Sequence, residues 1–239
     1  AGRAFGKFMQ NLDGFDAKGL FEVIPHFHDT VSRFAAFESA LERNASGRKD
    51  GAADEIAFVL ARKDGCDVLV KGLAEGSLPT RVTHNDTKLN NVLIDVDTKR
   101  AVCVIDLDTV MSGSMLFDFG DGVRAGCSTA KEDEKDLSLV DFDMNLFRAF
   151  SEGYLDGAGD SVTENEIALM PAAARLMTFE CGMRFLTDYL DGDVYFRTAY
   201  PEHNLVRART QFKLVSRMEA LADEMKEVVL SAAEAARRR

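Results

Sequence analysis

Tryptophan is absent from this chain of 239 residues, and proline and cysteine number only four each. The cysteines (Cys66, Cys103, Cys127 and Cys181) lie far apart with no C-x-x-C pair, which argues against a disulfide scaffold. They read as thiols packed like small hydrophobes in a reducing cytoplasm. Basic residues are outnumbered, 29 against 40 acidic ones, for a net charge of −11. Such a surface repels phosphate backbones and disfavours a nucleic-acid partner. No run approaches the roughly 18 apolar residues of a membrane span, and residues 1–20 lack the core of a signal peptide. The expected location is therefore cytoplasmic, with no membrane partner. What the chain does have is 46% apolar residues, too many for disorder, in a length that suits one domain over 1–239.

Periodicity divides the chain into a helical body and a short β interruption. Leu20, Ile24, Phe27, Val31, Phe34, Phe37 and Leu41 recur at three and four, predicting a helix over 17–43 bent at Pro25. A second helical stretch runs over 53–75, broken at Gly65, and Pro79 closes this part. Val92-Leu93-Ile94 and Ala101 to Ile105 are β-like runs around a polar turn at 96–100. Helices return after about 135. One carries Leu146, Phe147, Phe150 and Tyr154, and the next is announced by a capping box, Thr163 with Glu166. The last spans about 204–236, with a basic end over Ala235 to Arg239. The predicted fold is mainly α (α+β): a helical bundle with one central β-hairpin.

Chemistry concentrates around that hairpin. His84-Asn85-Asp86-Thr87-Lys88-Leu89-Asn90-Asn91 precedes the first strand, and Asp106-Leu107-Asp108 follows the second. Pairing residues whose numbers sum to about 197 sets Asp106 opposite Asn91, at the roughly 4.5–5.5 Å Cα separation of cross-strand partners. Two hard oxygen ligands on a rigid base, with room for water and phosphate oxygens, suit Mg²⁺. Asp86, five residues before Asn91, is placed to accept a proton from a nucleophilic hydroxyl. The group also spells H-x-D-x-K-x-x-N, a kinase catalytic-loop pattern of base, cation and metal ligand.

Other readings compete. His84 and Asp86 could cap a turn, and Lys88 could be merely solvated. Val102 to Val110 also fits an apolar strand ending in D-x-D-x-[TV], which in a haloacid-dehalogenase-type phosphatase makes Asp106 the nucleophile and Asp108 the acid. Gly120 to Ala125 satisfies a loose G-x-G-x-x-[GA], a weak dinucleotide signal without a strand before it. Arg184 and Asp188 could be an i, i+4 ion pair. His26 and His28 are ill-spaced for a metal on a helix, the phenylalanines at 27, 34 and 37 read as core, and Lys131 to Asp136 reads as a solvated face.

Taken together, His84–Asn91, Ile105–Asp108 and Phe117-Asp118-Phe119-Gly120-Asp121 resemble the aminoglycoside phosphotransferase and choline kinase superfamily. Ile24 to Thr30, Arg184 to Leu190, Asp193 to Phe196, His203 to Leu205 and Thr210 to Phe212 extend the resemblance towards N-acetylhexosamine 1-kinases. It implies a kinase-like carboxy-terminal lobe with Asp86 as base, Lys88 assisting, and Asn91 and Asp106 holding the Mg²⁺ of MgATP. It further implies Arg184 and Tyr195 at a hexosamine acceptor, His84 in a supporting position, and Asp118 bracing the loop.

The resemblance departs at the amino-terminal side. About 80 helix-like residues precede the catalytic loop, with no strand lysine or Gly-rich loop, and the chain starts at Ala1. The expectation is a fragment without the ATP-clamping lobe, binding ATP weakly and turning over negligibly alone. A non-catalytic module that binds amino sugars, or dimerises through an uncovered apolar face, is the competing expectation.

Overall fold

The computed structural model describes residues 1–238, so Arg239 of the basic tail lies outside the described residues. Helices α1 (Gly2–Asn11), α2 (Thr30–Arg43), α3 (Ala53–Leu60) and α4 (Val68–Ala74) lead to strand β1 (Arg81–Thr83). Strands β2 (Val92–Ile94), β3 (Ala101–Val104) and β4 (Met111–Gly113) follow. Helices α5 (Met115–Gly126), α6 (Met144–Ala158), α7 (Glu164–Asp191), α8 (His203–Ala220) and α9 (Ala222–Arg237) complete the chain. The mainly α expectation holds, with two small antiparallel sheets where one hairpin was expected: β2 pairs with β3, and β1 with β4.

Several boundaries differ from the periodicity. The stretch before Thr30 is not helix but turns around Pro25, because Asp29 caps α2 by accepting the Ser32 N–H at 3.0 Å. Residues 53–75 split into α3 and α4 around a short 3₁₀ turn at Lys63–Gly65. The last helix breaks at Leu221 into α8 and α9. The Thr163–Glu166 capping box is present as read, and Glu166 also receives Arg81 at 2.7 Å, tying α7 to β1.

Helix α5 is the axis of the molecule. Met115 to Val123 are all buried, wedged between α7 and α6. The two glycines of the apparent dinucleotide motif explain how: a Cβ at Gly120 would stand 2.6 Å from the Ala173 carbonyl oxygen, and one at Gly122 would stand 2.4 Å from the Phe150 ring. They are close-packing glycines inside a helix, not a phosphate loop. Helices α1 and α6 cross on the same principle, where a Cβ at Gly6 would stand 2.1 Å from the Tyr154 carbonyl oxygen. Phe34 and Phe37 are core, whereas Phe27 is only half-buried and belongs to the site described below. Cys66 and Cys127 are buried as expected, but Cys103 is exposed on β3.

Candidate active site

The catalytic-loop residues leave β1 at Thr83 and are held from beneath by α5. Asp118, wholly buried, accepts the His84 N–H at 2.9 Å and the Asn85 N–H at 2.7 Å on its two oxygens. One turn on, Asp121 accepts the Thr87 N–H at 2.8 Å, while its other oxygen is held by Arg124 at 2.8 Å. Carbonyls are secured as well: Thr109 donates to the His84 carbonyl at 2.7 Å, and the His84 ring Nε2 meets the Ile105 carbonyl at 2.9 Å. The His84 ring packs edge-on against Phe5 and Phe8. This support holds Asn85 at φ 65°, a left-handed conformation for a residue with a side chain.

Burial pushes the Asp118 carboxyl up to about 6, against the pull of its two N–H donors. Burial alone would also raise Asp121, but the Arg124 guanidinium, His28 and the Thr87 N–H reverse it and leave that carboxyl below its ordinary value. Sequence reading singled out Asp118 and missed Asp121. The signal was available, since the two stand i, i+3 on one helix face.

Asp86 is half-buried at the top of this loop. Lys88 Nζ donates to its Oδ2 at 2.6 Å, and Asn91 Nδ2 donates to the same oxygen at 2.9 Å. Both donors sit on one oxygen, so Oδ1 remains for an incoming hydroxyl. Lys88 therefore does not stand alone in solvent; expected as a cation for the transferring phosphoryl group, it instead grips the Asp86 carboxylate. Asn91 is buried with its amide nitrogen committed to Asp86, which leaves its oxygen as a free acceptor.

The hairpin register corrects one expectation. Val92 pairs with Val104 and Leu93 with Cys103, and the ladder shifts after Leu93 so that Ile94 pairs with Ala101. Ile105, not Asp106, lies opposite Asn91, its N–H donating to the Asn91 carbonyl at 2.9 Å. Asp95 pairs with Arg100 rather than facing Val102. Asp106 follows one residue on, exposed, at φ 66°, with no side-chain cap bond. Asp106 and Asn91 thus share an end of the hairpin without standing directly across. Oxygen donors of this kind, one amide and one free carboxylate, fit Mg²⁺ carried in on phosphates. Among the described residues no cluster of three or more His, Cys, Asp or Glu could hold a metal by itself. The phosphatase alternative fails, because β3 belongs to a two-stranded antiparallel hairpin rather than to a parallel sheet.

A second cluster forms on α7. Arg184 is packed among the rings of Phe27 at 5.2 Å, Tyr195 at 5.8 Å and Phe196 at 5.5 Å. It makes no ion pair with Asp188, contrary to the i, i+4 alternative. The buried Asp188 instead accepts the N–H groups of Val194, Tyr195 and Phe196 at 2.9, 2.8 and 3.0 Å and the Asn204 amide at 2.8 Å. Arg33, Arg184, Tyr195 and Phe196 line a cavity of about 130 Å³. Phe27 connects it to the catalytic loop, since its ring lies 4.5 Å from that of His28, whose Nε2 is 3.3 Å from the Asn85 carbonyl. A larger cavity of about 850 Å³ lies between α1, α6 and β3 and includes none of these residues. The run at 131–136 is less detached than a solvated face: Glu132 pairs with Arg124 at 3.2 Å and Arg207 at 3.6 Å, over the start of α8.

Comparison with known proteins agrees with this architecture. Residues 1–163 match the model of the phosphotransferase enzyme family. The choline kinase from Cryptosporidium parvum superposes with a TM-score of 0.60 at 15% identity, over 96% of this chain and 68% of that one. The chain belongs to the phosphotransferase enzyme family, and its helical body has the choline kinase fold.

Proposed function

We propose that this chain carries the acceptor and metal side of an ATP- and Mg²⁺-dependent sugar kinase, whose acceptor is the anomeric hydroxyl of an N-acetylhexosamine. The observation that carries the reading is the state of Asp86: one oxygen pinned by Lys88 and Asn91, the other open, on a loop whose backbone is fixed from below. A carboxylate held this way orients and deprotonates an acceptor hydroxyl, and positioning is most of what phosphoryl transfer asks of a protein. The Asn91 oxygen and Asp106 would hold Mg²⁺, which would supply charge neutralisation for the transferring phosphoryl group. Arg184 and Tyr195 offer the donors and aromatic face that a sugar ring needs. The choice of an N-acetylhexosamine rests on the resemblance of the Arg184 to Phe196 segment.

Among the described residues no strand precedes Arg81, so no strand-borne lysine or glycine-rich loop faces the nucleotide from that side. The polypeptide alone is therefore expected to bind MgATP weakly, and a calorimetric titration giving micromolar affinity would overturn that expectation. The functional test is formation of sugar 1-phosphate from N-acetylglucosamine or N-acetylgalactosamine by the full-length protein supplied with MgATP. Asp86→Asn should lower the rate by about 10²-fold or more. A substituted protein that kept most of its rate would remove Asp86 from the role of base.

A further inference from the structure

His28 lies outside every motif of the catalytic loop, yet it reaches that loop's backbone from the amino-terminal segment. Its side chain is 8% exposed. Nδ1 stands 2.8 Å from Glu180 Oε1 on α7, and Nε2 stands 3.3 Å from the carbonyl oxygen of Asn85. A carboxylate and a carbonyl can only accept, so a ring that satisfies both donates from both nitrogens. That is the imidazolium form. Glu180 is held in turn by Thr30, whose hydroxyl donates to its other oxygen at 2.5 Å, so the carboxylate cannot swing away. The ring is gripped between Phe27 at 4.5 Å and Phe117 at 5.3 Å.

The Asn85 carbonyl is where such a contact matters. Asn85 holds a left-handed conformation directly before Asp86, and its N–H and side chain are already fixed by Asp118, Thr83 and Thr109. Its carbonyl begins the peptide that leads to Asp86. We infer that His28, charged and clamped by Glu180, is a positioning residue that fixes the Asn85–Asp86 peptide and so aims the Asp86 carboxylate. This rests on the reading of Asp86 as the base. The charged groups facing the ring are Glu180 and Arg184 from α7 and Asp118 and Asp121 from α5. Burial alone would lower the imidazole, but the Glu180 carboxylate, with Asp121 behind it, outweighs burial and Arg184 and holds it above its ordinary value.

The experiment uses the chain itself, labelled with ¹⁵N at histidine and uniformly in the backbone, followed by NMR from pH 5 to 9. The expected result is a His28 ring protonated on both nitrogens at pH 7, losing its proton above pH 6.5, with the Asn85 and Asp86 signals moving at the same midpoint. Glu180→Gln should lower that midpoint by about one unit, a tenfold loss of proton affinity, and the Asp86 signals should follow it. His28→Gln should abolish the Asp86 transition above pH 6.5, leaving only the response to Asp118 near 6, while the thermal melt stays cooperative. Asp86 signals that stay flat through the His28 transition, or a neutral ring at pH 7, would overturn the inference. None of these readouts needs turnover. In the sugar 1-phosphate assay, Glu180→Gln should move the alkaline limb of kcat down by the same interval with acceptor KM unchanged. If no sugar is phosphorylated by the unaltered protein, the functional reading fails while the NMR result stands or falls by itself.

Discussion

Asp118 and Asp106 are both aspartates that flank the hairpin, and the molecule treats them in opposite ways. Asp118 is wholly buried, accepts two backbone N–H groups of the catalytic loop, and works alongside Asp121, which holds a third. Asp106 is exposed and left-handed, and its side chain has no hydrogen-bond partner among the described residues. The base side of the site is finished before any ligand arrives. On the other side the Asp106 carboxylate stands open to solvent, as the proposed Mg²⁺ role requires. A site divided this way keeps its free charge where solvent can support it, while left-handed backbone occurs on both sides, at Asn85 and at Asp106.

The contrast breaks if the two aspartates prove equally important to folding. Asp118→Ala removes the acceptor for two buried N–H groups and should cost about 3 kcal/mol or more of unfolding free energy. Asp106→Ala should fall within about 0.5 kcal/mol of the unaltered chain. Chemical denaturation of the two variants gives the comparison directly, and similar losses would show that Asp106 is structural after all.

The acidity of Asp118 sharpens the same contrast. Its carboxyl titrates near 6 in the fold and near its ordinary value of 3.8 when unfolded, so the folded state binds the extra proton between those values. Stability contributed by Asp118 is then present at low pH and lost as pH rises from about 4 through 6. Asp121, held low, works the other way, and its contribution is lost as pH falls below its ordinary value. Comparing Asp118→Asn with the unaltered chain at each pH cancels the Asp121 contribution. The penalty of the substitution should be largest near pH 4.5 and smaller at pH 7. A penalty that grew towards pH 7 would mean that the two N–H donors hold the carboxylate ionised throughout.

How much of this was legible in the sequence depends on how far apart the cooperating residues lie. Asp86, Lys88 and Asn91 could be read because a loop of eight residues brings i, i+2 and i+5 together whatever surrounds it. Asp118 was legible only through resemblance, and its neighbour Asp121 was passed over although one helix face carries both. The Asp106 register was off by one because the turn closes at Asp95 and Arg100, two residues tighter than expected, and the shift after Leu93 restores only one of them, an irregularity that strand propensity does not encode. His28 and Glu180 are 152 residues apart, and no local pattern marks either as half of a pair. The helix expected across Pro25 failed because apolar spacing persists through a segment whose phenylalanine faces the site rather than the core. Conversely, the glycine spacing in α1 and α6 was in plain view, Gly2 with Gly6 and Gly153 with Gly157, and marks where two backbones touch.

The smallest effect concerns the hairpin that carries Asn91 and Asp106. Its two faces differ: Val92 is 6% exposed and packs into the core, whereas Val102 on the other strand is 69% exposed. Val92→Ser should cost about 2 kcal/mol, the sum of lost apolar burial and a hydroxyl placed among hydrophobic side chains. Val102→Ser removes little buried area and should change stability by no more than about 0.5 kcal/mol. A cost at Val102 comparable to that at Val92, rising with protein concentration, would mean that a second copy covers the outer face and that the hairpin is a contact surface as well as a ligand platform. Indifference at any concentration leaves the outer face open to solvent.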